Sequence, residues 1–74
     1  MTVEKAVAYA FINICAEKDV RPSGFKNANL KQAVYSVMSG RTERPSITTI
    51  HGFCRCTGYT LREFFARKEF DDIE

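Results

Sequence analysis

His51-x-x-Cys54-x-Cys56 puts three metal-binding side-chain types within one short stretch, and a thiolate–imidazole set is the usual chemistry of a zinc site. The spacing argues against it. On a regular helix residues 54 and 56 point roughly 200° apart, so their sulfurs cannot meet at one ion. Nucleophilic or acid–base chemistry has little to work with either. His51 is the only histidine, and the carboxylates crowd toward the C-terminus instead of forming a recognisable pair. A small helical domain also offers little room for a closed substrate pocket. The reading is a non-enzyme with no metal, no cofactor and no small-molecule substrate. Cys15, Cys54 and Cys56 are odd in number, and the last two are too close for an ordinary bridge, so reduced thiols packed as small apolar groups are expected.

Charge is the second source of chemistry. The net charge is only +2 over 74 residues, but it is unevenly spread. Residues 1–18 are neutral. Residues 19–45 carry a net +3, with Arg21, Lys26, Lys31, Arg41 and Arg44 against Asp19 and Glu43. Residues 46–68 carry another +3, and residues 69–74 carry −4. A basic body with an acidic end is compatible with a polyanionic partner, although a solvated surface of mixed sign would read the same way.

These side chains must be positioned by helices. Hydrophobic residues make up 45% of the chain and charged ones 27%, the balance of a single globular domain near the lower limit of self-supporting size. No apolar run approaches the roughly 20 residues that cross a bilayer. The start, MTVEKAVAYAF, has charges where a signal peptide would be apolar, so a cytoplasmic location is expected.

The hydrophobic period is close to 3.6 almost throughout and predicts an all-α domain of five helices. The first runs over Val3–Lys18 from a Thr2 cap, with Val3, Val7, Ala10, Phe11 and Ile14 inward. Pro22 breaks it, and a short second helix over Ser23–Ala28 is followed by a turn at Asn29. The third spans Leu30–Ser39, burying Leu30, Val34, Val37 and Met38, and Gly40 ends it. The fourth starts at the Ser46 cap, with Ile47, Ile50, Phe53, Cys54 and Thr57 inward, and stops at Gly58. The fifth opens with a Thr60–Glu63 capping box, flanked by Tyr59 and Phe64 at the positions of a hydrophobic staple, and packs Leu61, Phe64 and Phe65 inward.

The run VYSVMSGRTERPSITTIHGFCRCTGYTLREFF, residues 34–65, resembles the second half of a lambda-repressor-like (Cro/repressor, XRE-type) helix-turn-helix domain. The shared pattern is an apolar-periodic reading helix, a glycine, a polar loop, Pro-Ser, a helix ending in glycine, and a Thr-Leu-x-x-Phe-Phe helix. The resemblance implies a compact five-helix fold whose helix-turn-helix is formed by the second and third helices. It implies a transcriptional regulator that binds double-stranded DNA as a homodimer, with the third helix in the major groove. Base contacts would fall to Lys31, Gln32, Tyr35 and Ser36, since Gln pairs with adenine and Lys reaches guanine. Phosphate contacts would fall to Arg21, Arg41, Arg44 and Ser46, the last with the free N–H groups opening the fourth helix.

Residues 1–68 are read as the DNA-binding domain and 69–74 as an acidic tail. Phe65 and Phe70 are candidate dimer contacts, and folding back onto the first helix is the other place for them. The family pattern has Leu-Ala in the second helix and glycine in the turn, where this chain has Gly24-Phe25 and Asn29. That departure carries an alternative: a protein-interaction module, antitoxin-like or accessory, on the same scaffold without DNA binding.

Overall fold

The structure, a computed structural model, describes residues 2–41 and 44–73. They form a compact all-helical body of four α-helices with no strand among them: α1 (Val3–Lys18), α2 (Ala28–Met38), α3 (Ile47–Thr57) and α4 (Leu61–Phe65). Single 3₁₀ turns occupy Pro22–Gly24 and Lys68–Phe70. No helix among the described residues is long and apolar enough to cross a membrane.

The count of five helices is corrected here, because the expected second helix over Ser23–Ala28 is not α-helical. Pro22 supplies no N–H and Gly24 is a poor helix former, so the chain makes one 3₁₀ turn and leaves it with Phe25 extended. Phe25 is drawn to the core, edge-on to Phe53 at 6.0 Å between ring centroids. The turn expected at Asn29 is also corrected. Asn27 caps α2 instead, its Oδ1 accepting the Leu30 N–H at 3.0 Å, and this draws Asn29 into the first helical turn. The helix expected over Leu30–Ser39 is α2; those expected fourth and fifth are α3 and α4.

Local signals set the other boundaries. Thr2, Ser46 and Thr60 each accept a backbone N–H three residues on. The Thr60–Glu63 box is closed in both directions. Gly40 and Gly58 adopt left-handed φ angles of 80° and 81° just past α2 and α3. Asp19 does the same past α1, with φ 53°, and the N–H groups of Asp19 and Val20 satisfy the Ala16 and Cys15 carbonyls.

Three fully buried phenylalanines make the centre. Phe11 of α1 stacks on Phe53 of α3 at 4.0 Å, and Phe64 of α4 meets Phe11 at 5.7 Å. Ile14, Val34, Val37, Ile50 and Cys54 close around them. Burial pushes the Cys54 thiol up to about 11 and raises Cys15 also, as expected of thiols that serve as packing groups. Three residues expected in this core are not in it: Val3 is 44% exposed, Ile47 59% and Phe65 39%. Val3 and Ile47 each open their helix, and Phe65 follows the fully buried Phe64, so one helix face cannot turn both inward.

The C-terminal segment is tied back to α1. The Arg67 guanidinium pairs with Glu17 at 2.7 Å and Glu69 at 2.9 Å, and donates to the Tyr59 hydroxyl. Asn13 Nδ2 donates to Glu69 at 2.8 Å. Phe70 packs on Phe64 and Phe65 of its own chain, at 5.4 and 5.1 Å. Folding back is thus where Phe70 packs, half-buried against its own chain.

Candidate nucleic-acid interface

α2 is held to the body along one side only. Val34 and Val37 are almost wholly buried, and half-buried Leu30 and Met38 lie against the core beside them. The opposite side faces solvent, as a 3.6 period requires once one stripe is covered. Gln32 is exposed, Tyr35 is 46% exposed, and Lys31 and Ser36 are half-buried at the flanks.

Chain reversal at Gly40 completes this face. With Gly40 left-handed, the Gly40 N–H bonds the Val37 carbonyl at 3.2 Å and the Arg41 N–H bonds the Ser36 carbonyl at 2.9 Å. The second bond fixes Arg41 against the last turn of α2. Gln32, Tyr35, Ser36, Ser39 and Arg41 consequently line one open depression. A planar amide, a phenol, two hydroxyls and a guanidinium stand together there, a set that can donate to and accept from base edges and hold a phosphate.

The remaining predicted positions lie elsewhere. Lys31 is one helical turn before Tyr35, outside the residues lining the depression. Arg44 borders a different recess, with the capping Thr2, with Glu4 and Lys5 of α1 and with Gly40. Ser46 is spent on its own helix: its Oγ accepts the Thr49 N–H at 3.1 Å and lies 3.0 Å from the Thr49 hydroxyl. Arg21 is exposed at the entry to the first 3₁₀ turn. Thr42 and Glu43, within the basic linker, lie outside the described residues.

Two features were not read from the sequence. Ser39 was counted only as a helix end, though its spacing from Tyr35 and Ser36 puts it on their face, where its Oγ donates to the Ser36 carbonyl. A second depression, between the first turns of α2 and α3, is lined by Asn27, Asn29, Thr48 and Thr49 over a floor of Leu30, Ala33 and Gly52. Asn29 is an exposed amide on the opening turn of α2, a position hidden by assigning it to a turn.

Both ion pairs among the described residues belong to Arg67, and Arg21, Lys26, Lys31, Arg41 and Arg44 meet no described carboxylate. Hydrogen bonding to Arg67 holds Glu69 down to about 2, and Glu17 is lowered by the same partner. Glu17 and Glu69 are in this way engaged with Arg67 beside α1.

His51 and Cys56 are exposed while Cys54 is fully buried, so the three candidate ligands do not converge. All three cysteines are free thiols.

Fold and surface together define a small all-α domain with one helix packed by its aliphatic edge and presenting a polar one. Comparison with known proteins adds no relative: no protein-family model, curated protein or solved structure matches the chain.

Proposed function

We propose that the protein binds double-stranded DNA in a sequence-dependent way and regulates transcription, with α2 entering the major groove. The observation that carries this reading is the depression shared by Gln32, Tyr35, Ser36, Ser39 and Arg41 on the uncovered side of α2. An isolated helix about 10–12 Å across fits the roughly 12 Å major groove, and its exposed face meets base edges. Gln32 reads a base, Arg41 anchors a phosphate beside the end of α2, and Lys31, Tyr35 and Ser36 add contacts on either side. Arg21, Arg44 and the opening turn of α3 at Ser46 contribute longer-range attraction to the backbone. The arrangement is a shortened helix-turn-helix in which one 3₁₀ turn stands where a full helix precedes the reading helix.

Selection of bound duplexes from a random pool, followed by titration at two salt concentrations, tests this directly. The expected result is an enriched site whose affinity falls as salt rises, because each neutralised phosphate releases about one counterion. A pool that stays random sinks the proposal.

One observation favours a second reading. The single turn at Pro22–Gly24 leaves no full helix to lie across the backbone ahead of α2, which suits a protein-interaction module that uses the α2 face on another protein. Replacing Gln32 and Tyr35 separates the two: loss of DNA affinity supports the first, and loss of protein capture with no DNA effect supports the second.

A further inference from the structure

The first turns of α2 and α3 share the depression rimmed by Asn27, Asn29, Thr48 and Thr49 over Leu30, Ala33 and Gly52. None of the residues lining it is charged. Two of its polar residues are already engaged: Asn27 Oδ1 accepts the Leu30 N–H, and the Thr49 hydroxyl lies 3.0 Å from Ser46 Oγ. Asn29 and Thr48 are exposed, and their side chains make no hydrogen bond among the described residues. The floor is apolar and half-buried, made by the Leu30 and Ala33 methyl groups and the backbone of Gly52. Asn29 stands one helical turn before Gln32 and Ala33, and Ala33 one turn before Ser36. This flank of α2 therefore carries the depression into the face lined by Gln32 and Ser36.

We infer, resting on the DNA reading of α2, that this depression receives the C5-methyl group of a thymine and acts as a specificity pocket beside the reading face. Base edges in the major groove present donors, acceptors and a single apolar group, the thymine methyl. An apolar floor set against any other edge strips water from a polar atom and returns no hydrogen bond. A phosphate fits no better. The lining holds no cation, and the Leu30 and Thr49 N–H groups are already taken by their caps. Thymine satisfies the whole site: its methyl lies on Leu30, Ala33 and Gly52, while the Asn29 amide and Thr48 hydroxyl bond to the polar edges on either side. An apolar side chain of a protein partner is the competing occupant, and it would leave duplex binding indifferent to the methyl.

Deoxyuridine lacks only this methyl, so the duplex can be changed while the protein stays as it is. In the site recovered by selection, each thymidine is replaced in turn and binding is read by fluorescence anisotropy. The expected result is a position where replacement weakens binding about fourfold, the worth of one buried methyl. A C·G pair at that position should bind more weakly still, and 5-methylcytosine in place of the cytosine should recover about fourfold. Ala33→Gln covers the floor at little cost to the helix, so it should abolish both methyl effects while circular dichroism stays unchanged. If the longer side chain abolishes binding altogether, Ala33→Ser makes the same comparison. A selected site at which no thymidine responds overturns the pocket alone and leaves DNA binding standing. A methyl effect undiminished in the Ala33 variant also overturns it, because the methyl is then held elsewhere. A pool with no enriched site overturns the DNA reading and the pocket together.

Discussion

Leu30 rests its terminal methyl groups on the backbone of Gly52: a Cβ at position 52 would stand 3.0 Å from Leu30 Cδ1 and 3.3 Å from Cδ2. This contact joins the first turn of α2 to the middle of α3 and sets how closely the two helices approach. The angle at which α2 offers Gln32 and Tyr35 follows from it.

Gly52→Ala therefore combines two opposed effects. Alanine in mid-helix is favoured over glycine by about 1 kcal/mol, but the new methyl forces Leu30 aside. The single substitution should leave stability unchanged or lower it by about 1 kcal/mol. In a Leu30→Ala background the same change should recover its full gain, giving a coupling of about 1 kcal/mol in a double-mutant cycle. Urea unfolding of the four proteins measures it, and additive effects would show that the contact is not what requires glycine.

Arg67 holds the C-terminal segment to α1. Removing it by Arg67→Met leaves Glu69, only 5% exposed in its side chain, without its cation. The loss should be about 2–4 kcal/mol, a large share of the stability of so small a domain. Thermal melting followed by circular dichroism tests this, and a drop below about 0.5 kcal/mol would reduce the cluster to a surface ornament.

Acid should act through the same cluster. Glu69 falls from an ordinary 4.5 to about 2 in the folded chain, chiefly through its hydrogen bond from Arg67. Its contribution is present in full above the unfolded value and is lost as pH drops from about 4.5 toward about 2. Melting temperature should decline across that window, and Glu69→Gln should flatten part of the decline at the cost of lower stability at pH 7. An unchanged slope in Glu69→Gln would assign the acid sensitivity to other carboxylates.

Asp19 is the one non-glycine residue with positive φ among those described, and its carboxylate sits at the negative end of the α1 dipole. Both features are unfavourable. Asp19→Gly should stabilise by about 0.5–1 kcal/mol, raising the melting temperature by about 2–8 °C. Calorimetry is sufficient, and a lower melting temperature would mean that Asp19 has an unrecognised partner.

On the α2 face, two substitutions should behave differently. Gln32→Ala should cost about 1–3 kcal/mol on the selected duplex and relax preference at one base pair, while Arg41→Ala should weaken all duplexes and reduce the salt slope by about one. Filter binding or fluorescence anisotropy at several salt concentrations distinguishes these patterns. Identical behaviour of the two variants would remove the assignment of base and phosphate roles.

How much of this was legible in the residues depended on the range of the interaction. Caps are local: Thr2, Ser46 and Thr60 each bond three residues ahead, so their side-chain chemistry alone fixed where α1, α3 and α4 begin. Periodicity likewise identified the covered edge of α2 at Val34 and Val37, and with it the uncovered side holding Gln32 and Tyr35. A period names a stripe, but it cannot say whether anything arrives to cover each end of it. Val3 and Ile47 obey the pattern and still lie in water, because coverage belongs to the neighbouring helices. Arg67 and Glu17 are fifty positions apart, and no local pattern couples them. Arg41 and Arg44 look equivalent in the linker, yet the reversal at Gly40 pins one to the end of α2, while the other borders α1. Bonds between near neighbours were written in the chain; contacts across the fold, whose partners only packing brings together, were settled by tertiary structure.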